Sequence, residues 1–156
     1  MKKICIALDY TPLAEKVAAT GYALARAIGA EVTLVHVITD VTYSDAFCVP
    51  NMGYNLDLFH DKAPLYEEVE HGAEDFLNAT VLSLRDQQIK KVVLDGPTAD
   101  AILNYATEHH MDLIVMGTHG HSGLESLLMG NTAGRIVRYS SIPMLIVPTG
   151  NSAMES

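Results

Sequence analysis

Two cysteines in 156 residues leave no room for a disulfide framework. Cys5 falls inside an apolar run and Cys48 in a loop-like stretch. That usage suits a reducing compartment, so a cytoplasmic location is expected. Positive charge is scarce as well: 10 Lys and Arg stand against 19 Asp and Glu, for a net charge of −9. With no basic cluster there is no electrostatic footprint for nucleic acid. No apolar run approaches the ~20 residues that span a bilayer, which excludes a transmembrane helix. The opening MKKICIALDY turns acidic within nine residues, and its apolar run is too short for a secretion signal. Familiar nucleotide motifs are missing too. No G-x-x-x-x-G-K-[ST] is present, so there is no P-loop, and no G-x-G-x-x-G follows the first apolar run. Residues 112–156 contain no lysine, where a phospho-receiver domain needs one after its fifth strand.

What is present is a globular composition, 49% hydrophobic, in a length that suits one domain over residues 1–148. Five short apolar runs recur: Ile4–Leu8, Val32–Ile38, Val92–Leu94, Leu113–Met116 and Met144–Val147. They are continuous rather than alternating, as strands buried on both faces of a parallel sheet are. Helical patterns separate them. Thr11-Pro12 reads as an N-cap followed by proline in the first turn. Leu13, Val17, Leu24 and Ile28 then recur at helical spacing, and Gly29 stands where a helix ends in a left-handed residue. Val69, Ala73, Phe76 and Leu77 mark a second helix, Ala99, Ile102, Leu103 and Ala106 a third, and Ala133, Ile136 and Val137 a fourth. This alternation predicts an α/β fold: a doubly wound three-layer sandwich around a five-stranded parallel sheet of order 3-2-1-4-5. Residues 39–64 interrupt the rhythm as a long loop excursion, and 149–156 read as a flexible tail.

The chemistry gathers in residues 112–148. The fourth strand runs into Gly117, Gly120 and Gly130 follow, and a helical pattern begins at Asn131. Glycine lets a ligand approach the backbone, and a helix N-terminus offers free N–H groups, so the segment reads as an anion cradle. Doubly wound sheets bind ligands at the carboxyl ends of strands where the strand order reverses. If the first and fourth strands are neighbours at that point, Asp9, at the end of the first strand, faces the same crevice. It suits ribose hydroxyls, water or a phosphate-bound metal ion; equally, it supplies the negative charge ahead of the first helix. His119 and His121 lack the further ligands of a metal site, and His36 reads as a hydrogen-bonded core histidine. Cys5 sits mid-strand and no nucleophile–base pair is visible, so no catalytic residue is assigned and hydrolysis is expected to be slow at most.

The run MGTHG, nine residues, then GNTA and the closing PMLIVP resembles the universal stress protein family, whose nucleotide signature is G-x2-G-x9-G followed by Ser or Thr. The first βαβ stretch, KKICIALDYTPLAEKVAATGYALARAIGAEVTLVHV, resembles it as well. The resemblance implies an adenine-nucleotide (ATP) binding stress-response protein, with Mg²⁺ carried by the phosphates. It places Asp9 near ribose and phosphates and the Val37 backbone against adenine. Met116 and Gly117 fall under the nucleoside, and Gly120 and Gly130 at the phosphates. Ala7, Leu8 and His119 complete the set beside them. Asn131 departs from the signature, yet its amide can donate to phosphate and Thr132 supplies a hydroxyl next to it. The resemblance also implies a homodimer. An apolar last strand at a sheet edge needs a partner, and pairing through residues 143–148 of two copies supplies one. Two other readings stay open: a nucleotide-free dimeric interaction protein, and an inefficient ATPase or phosphotransfer enzyme.

Overall fold

Continuous Val- and Ile-rich runs cannot present one wet face, so they pair in the middle of a layered domain. The computed structural model describes residues 1–39, 63–118 and 131–149. The elements are β1 (Lys3–Ala7), α1 (Ala14–Ile28), β2 (Glu31–Ile38), α2 (Ala63–Leu84), β3 (Lys90–Asp95), α3 (Thr98–Glu108), β4 (Leu113–Gly117), α4 (Asn131–Tyr139) and β5 (Met144–Val147). The five strands form one parallel sheet of order β3-β2-β1-β4-β5, the arrangement expected from the sequence. The order reverses between β1 and β4, which pair through Ile4↔Leu113 to Ile6↔Val115.

The sheet divides the interior in two. Ile4, Ile6, Leu34 and Val115 pack with α1 and α2 on one face. Cys5, Val35, Ile114 and Met116 pack with α3 and α4 on the other. Ile6 and Ile114 are fully enclosed. Each such side chain contributes about 1.5–3 kcal/mol relative to an exposed one.

The inward face of α1 differs from the expected one. Leu13 and Ile28 are 39% and 43% exposed, and the buried stripe is Ala14, Val17, Ala18, Gly21 and Ala25. Small side chains let this helix lie close on the sheet: a Cβ on Gly21 would sit 2.7 Å from Ile6 Cδ1. The helix begins differently too. Thr11 does not cap it; its hydroxyl donates to Asp9 Oδ1 at 2.6 Å, and Leu13 occupies the cap position with no side-chain bond. The end is as expected, with Gly29 at φ 69°.

Elsewhere Ala73 and Leu77 of α2 are buried as expected, joined by Val81, whereas Val69 is 38% exposed. Val137 of α4 also faces outward, beside the inward Ala133 and Ile136. Helix α2 starts at Ala63, so the expected excursion is shorter by two residues at its end; residues 40–62 lie outside the described residues. Thr149, the first residue of the expected tail, is buried and hydrogen-bonded.

Candidate functional site

The strand ends at the reversal point bring the candidate residues to one rim of the sheet. β1 stops at Ala7, but Leu8 N–H still donates to Val35 O at 2.9 Å. Leu8 is therefore buried with its amide engaged, while Ala7 and Asp9 are half-buried. Asp9 Oδ1 accepts from the Thr11 amide at 3.1 Å and from its hydroxyl. This is an Asx turn, and it steers the chain from β1 towards α1. Of the two readings of Asp9, the turn leading into the helix is thus realised, and it leaves the carboxylate at the rim.

On β2, His36 is buried and donates from Nδ1 to Leu8 O at 2.8 Å. A carbonyl only accepts, so the proton is assigned to Nδ1. Tyr10 and Phe76 close over the imidazole, with ring centroids 4.3 Å and 5.7 Å away. Burial lowers the His36 pKa, opposed by the bond to Leu8 and by the Asp9 charge. The ring thereby holds the Leu8–Asp9 segment against β2, as a bonded core histidine. Val37 follows, buried and in register with Leu94.

Across the reversal, Met116 is buried and Gly117 pairs with Val147 of β5. Among the described residues only Gly29 and Gly96 have positive φ among glycines, so Gly117 is not needed for a left-handed turn. Its missing Cβ is accounted for by packing: a Cβ there would meet Thr149 Cγ2 at 2.9 Å and Val17 Cγ2 at 3.3 Å. Thr118 N–H then donates to Val147 O at 3.1 Å. Asn131 opens α4 and is exposed, and Thr132 behind it is half-buried. The first-turn N–H groups of such a helix lack intrahelical acceptors. His119, Gly120 and Gly130, together with His121, lie outside the described residues.

The structure therefore brings Ala7, Leu8, Asp9, Val37, Met116 and Gly117 to the carboxyl end of the sheet. No nucleophile is added by the described part of the chain. Burial pushes the Cys5 thiol up to about 12, so it stays protonated and inert. Among the described residues no group of three or more His, Cys, Asp or Glu is placed to hold a metal ion. Three contributors were missed by sequence reasoning. Tyr10 covers His36, Thr149 fills the space above Gly117, and Lys16 Nζ donates to Pro148 O at 2.8 Å. None carries a spacing signal, because each is set by tertiary contact alone.

The family model described as the Universal stress protein family matches residues 1–148. The chain belongs to the universal stress protein family. Universal stress protein A homolog 1 of Coxiella burnetii is 28% identical over 148 residues, covering 94% of this chain and 95% of that protein. A universal stress protein of Methanocaldococcus jannaschii is 27% identical over 161 residues, covering 97% of each. Its solved structure superposes with a TM-score of 0.79 at 24% identity, covering 97% of this chain and 98% of that one. A universal stress protein solved in complex with cAMP has a TM-score of 0.60 at 19% identity, covering 94% and 96%. These structural likenesses are of fold, and they share the doubly wound sheet seen here. No helix among the described residues is long and apolar enough to cross a membrane.

Proposed function

We propose that this universal stress protein binds an adenine nucleotide, ATP with Mg²⁺, and acts as a homodimeric cytoplasmic regulator. The observation that carries the reading is the strand reversal between β1 and β4. In a doubly wound sheet that is the ligand crevice. Here it is flanked by Asp9 on one side and by Gly117, Gly120 and Gly130 in sequence on the other. The residues fit the ligand's chemistry. The Val37 backbone would meet a base, with Met116 and Gly117 under the nucleoside; Asp9 suits ribose hydroxyls or a phosphate-bound cation, and Asn131 and Thr132 offer donors at a helix N-terminus. A protein of the same fold solved with cAMP supports the nucleotide class. We expect hydrolysis to be slow at most, since the sequence offers no P-loop lysine to act on the phosphates. Dimerisation through residues 143–148 is supported by β5 standing at the sheet edge.

A second reading has its own observation. Gly117 is explained by Thr149 and Val17 with no ligand at all. The glycine at this strand end is then a packing residue, and the chain a nucleotide-free dimeric interaction protein. Native mass spectrometry of the purified protein, followed by calorimetry with Mg-ATP, ADP, AMP and cAMP, separates the two. A co-purifying nucleotide or binding heat is expected. Folded protein that gives no heat with any of them leaves the interaction reading in place.

A further inference from the structure

Helix α2 is seated along only part of its length. From Ala73 it lies on the sheet: Ala73, Leu77 and Val81 are buried, and Phe76 meets Tyr10 and His36 edge-on, with ring centroids 5.1 Å and 5.7 Å away. Before Ala73 the inward stripe fails. Residues 66–69 and 71–72 are exposed, and Glu70 is half-buried. Tyr66 Oη donates to Asp95 Oδ1 at 2.6 Å, which ties the first turns to the end of β3. Gly72 stands at the boundary. A Cβ there would meet nothing within 4 Å, so packing does not call for a glycine, and a glycine weakens a helix interior relative to alanine. Charge does not brace this part either. Residues 63–84 contain no Lys or Arg, and Glu70 and Glu74 are like charges one turn apart.

We propose that residues 66–72 form an arm that leaves the sheet as one unit when the Tyr66–Asp95 bond breaks, with Gly72 as its boundary and 73–84 staying in place. None of residues 66–72 is buried, so little apolar surface opposes the release. So short an arm falls below the ~12–15 residues that an isolated helix needs in water, and it unwinds once released. The bond to Asp95, the last residue of β3, places the arm at the carboxyl rim of the sheet, where Asp9 also lies. Release frees the Asp95 oxygen that Tyr66 engages. The arm thereby controls whether the β3 end of that rim offers this acceptor, and it does so whether or not a nucleotide binds.

Native-state hydrogen exchange on the whole chain tests this without ligand. Each helical amide donates to the carbonyl four residues earlier, so the amides of 70–76 report on the arm and those of 77–84 on the seated part. A step in protection between 76 and 77 is expected, with the 70–76 amides sharing one faster opening. Tyr66→Phe keeps the ring and removes the bond to Asp95, and Asp95→Ala removes it from the other side. Each should speed the 70–76 amides together, roughly two- to fivefold. Gly72→Ala should slow the same amides about fivefold. Val81→Ala weakens only the seated part, so it should speed 77–84 and leave 70–76 unchanged. Protection that declines residue by residue from 76 to 70 is end fraying and overturns the arm. So does a 70–76 group that speeds along with 77–84 in Val81→Ala. Unchanged exchange in either Tyr66→Phe or Asp95→Ala overturns the Tyr66–Asp95 latch, and unchanged exchange in Gly72→Ala overturns the boundary.

Discussion

Gly21 and Gly72 are both helical glycines, and the same substitution at each should have opposite effects. In an open helix, Gly→Ala gains about 1 kcal/mol from backbone entropy and propensity. Gly72 of α2 is exposed, with nothing within 4 Å of a Cβ built there, so Gly72→Ala should show that gain in full. At Gly21 a Cβ would lie 2.7 Å from Ile6 Cδ1, 3.1 Å from Ile6 Cγ1 and 3.1 Å from Val115 Cγ1. Ile6 and Val115 are both wholly enclosed, so neither can swing out to solvent. Overpacking of this kind costs about 1–3 kcal/mol. Set against the same propensity gain, Gly21→Ala should be destabilising by ~0–2 kcal/mol. The two variants should therefore differ by ~1–3 kcal/mol, which urea unfolding resolves as a shift in midpoint at constant slope. Ile6→Val removes the clashing Cδ1, so the Gly21→Ala/Ile6→Val pair should couple favourably in a double-mutant cycle. If Gly21→Ala stabilises as much as Gly72→Ala, the close seating of α1 on β1 and β4 is wrong.

Burial lowers the His36 pKa, so as pH falls through the ordinary histidine range the unfolded chain takes up the proton first. His36 thus contributes stability that is complete above that range and is lost below it; urea midpoints from pH 8 to pH 5 should fall less steeply in His36→Asn, and parallel curves would refute the assignment. Gly130→Val should abolish nucleotide binding with the fold retained, because a β-branched Cβ blocks backbone approach. Asn131→Ala should weaken binding by about 1 kcal/mol while Asn131→Ser is tolerated, both read by calorimetry. Ile146→Lys, at the sheet edge, should shift a wild-type dimer toward monomer or precipitate it in light scattering; a wild-type monomer at every concentration would remove strand pairing.

The strands were legible because those of a parallel sheet print themselves as unbroken apolar runs, and β5 was read to the residue. Helix faces were less legible. In α1 the larger side chains Leu13 and Ile28 drew the eye, yet apart from Val17 the sheet selects Ala and Gly, since the helix is seated close. Val137 misled for a related reason: α4 buries a narrow stripe, Ala133 and Ile136, and the next apolar residue falls past its edge. Asp9 and Gly117 were placed at strand ends from the sequence, but their immediate partners were not. Thr11 was read as a cap when Asp9 claims its hydroxyl, and Thr149 as tail when Gly117 gives it a seat. Contacts between residues 32 apart in sequence leave no local pattern to read.

The partition of the interior by the sheet means that this small domain has two separate reservoirs of stability. Leu77 belongs to one and Ile136 to the other, with a layer of strands between them. Truncations such as Leu77→Ala and Ile136→Ala should then add almost independently, as distant sites do. The reservoirs are not equivalent for ligand chemistry. Val37 and Met116 draw on the α3–α4 side, while Leu8 draws on the α1–α2 side. A nucleotide that touched residues of one cluster alone would still raise the stability of the whole cooperative unit, because it binds only the native state.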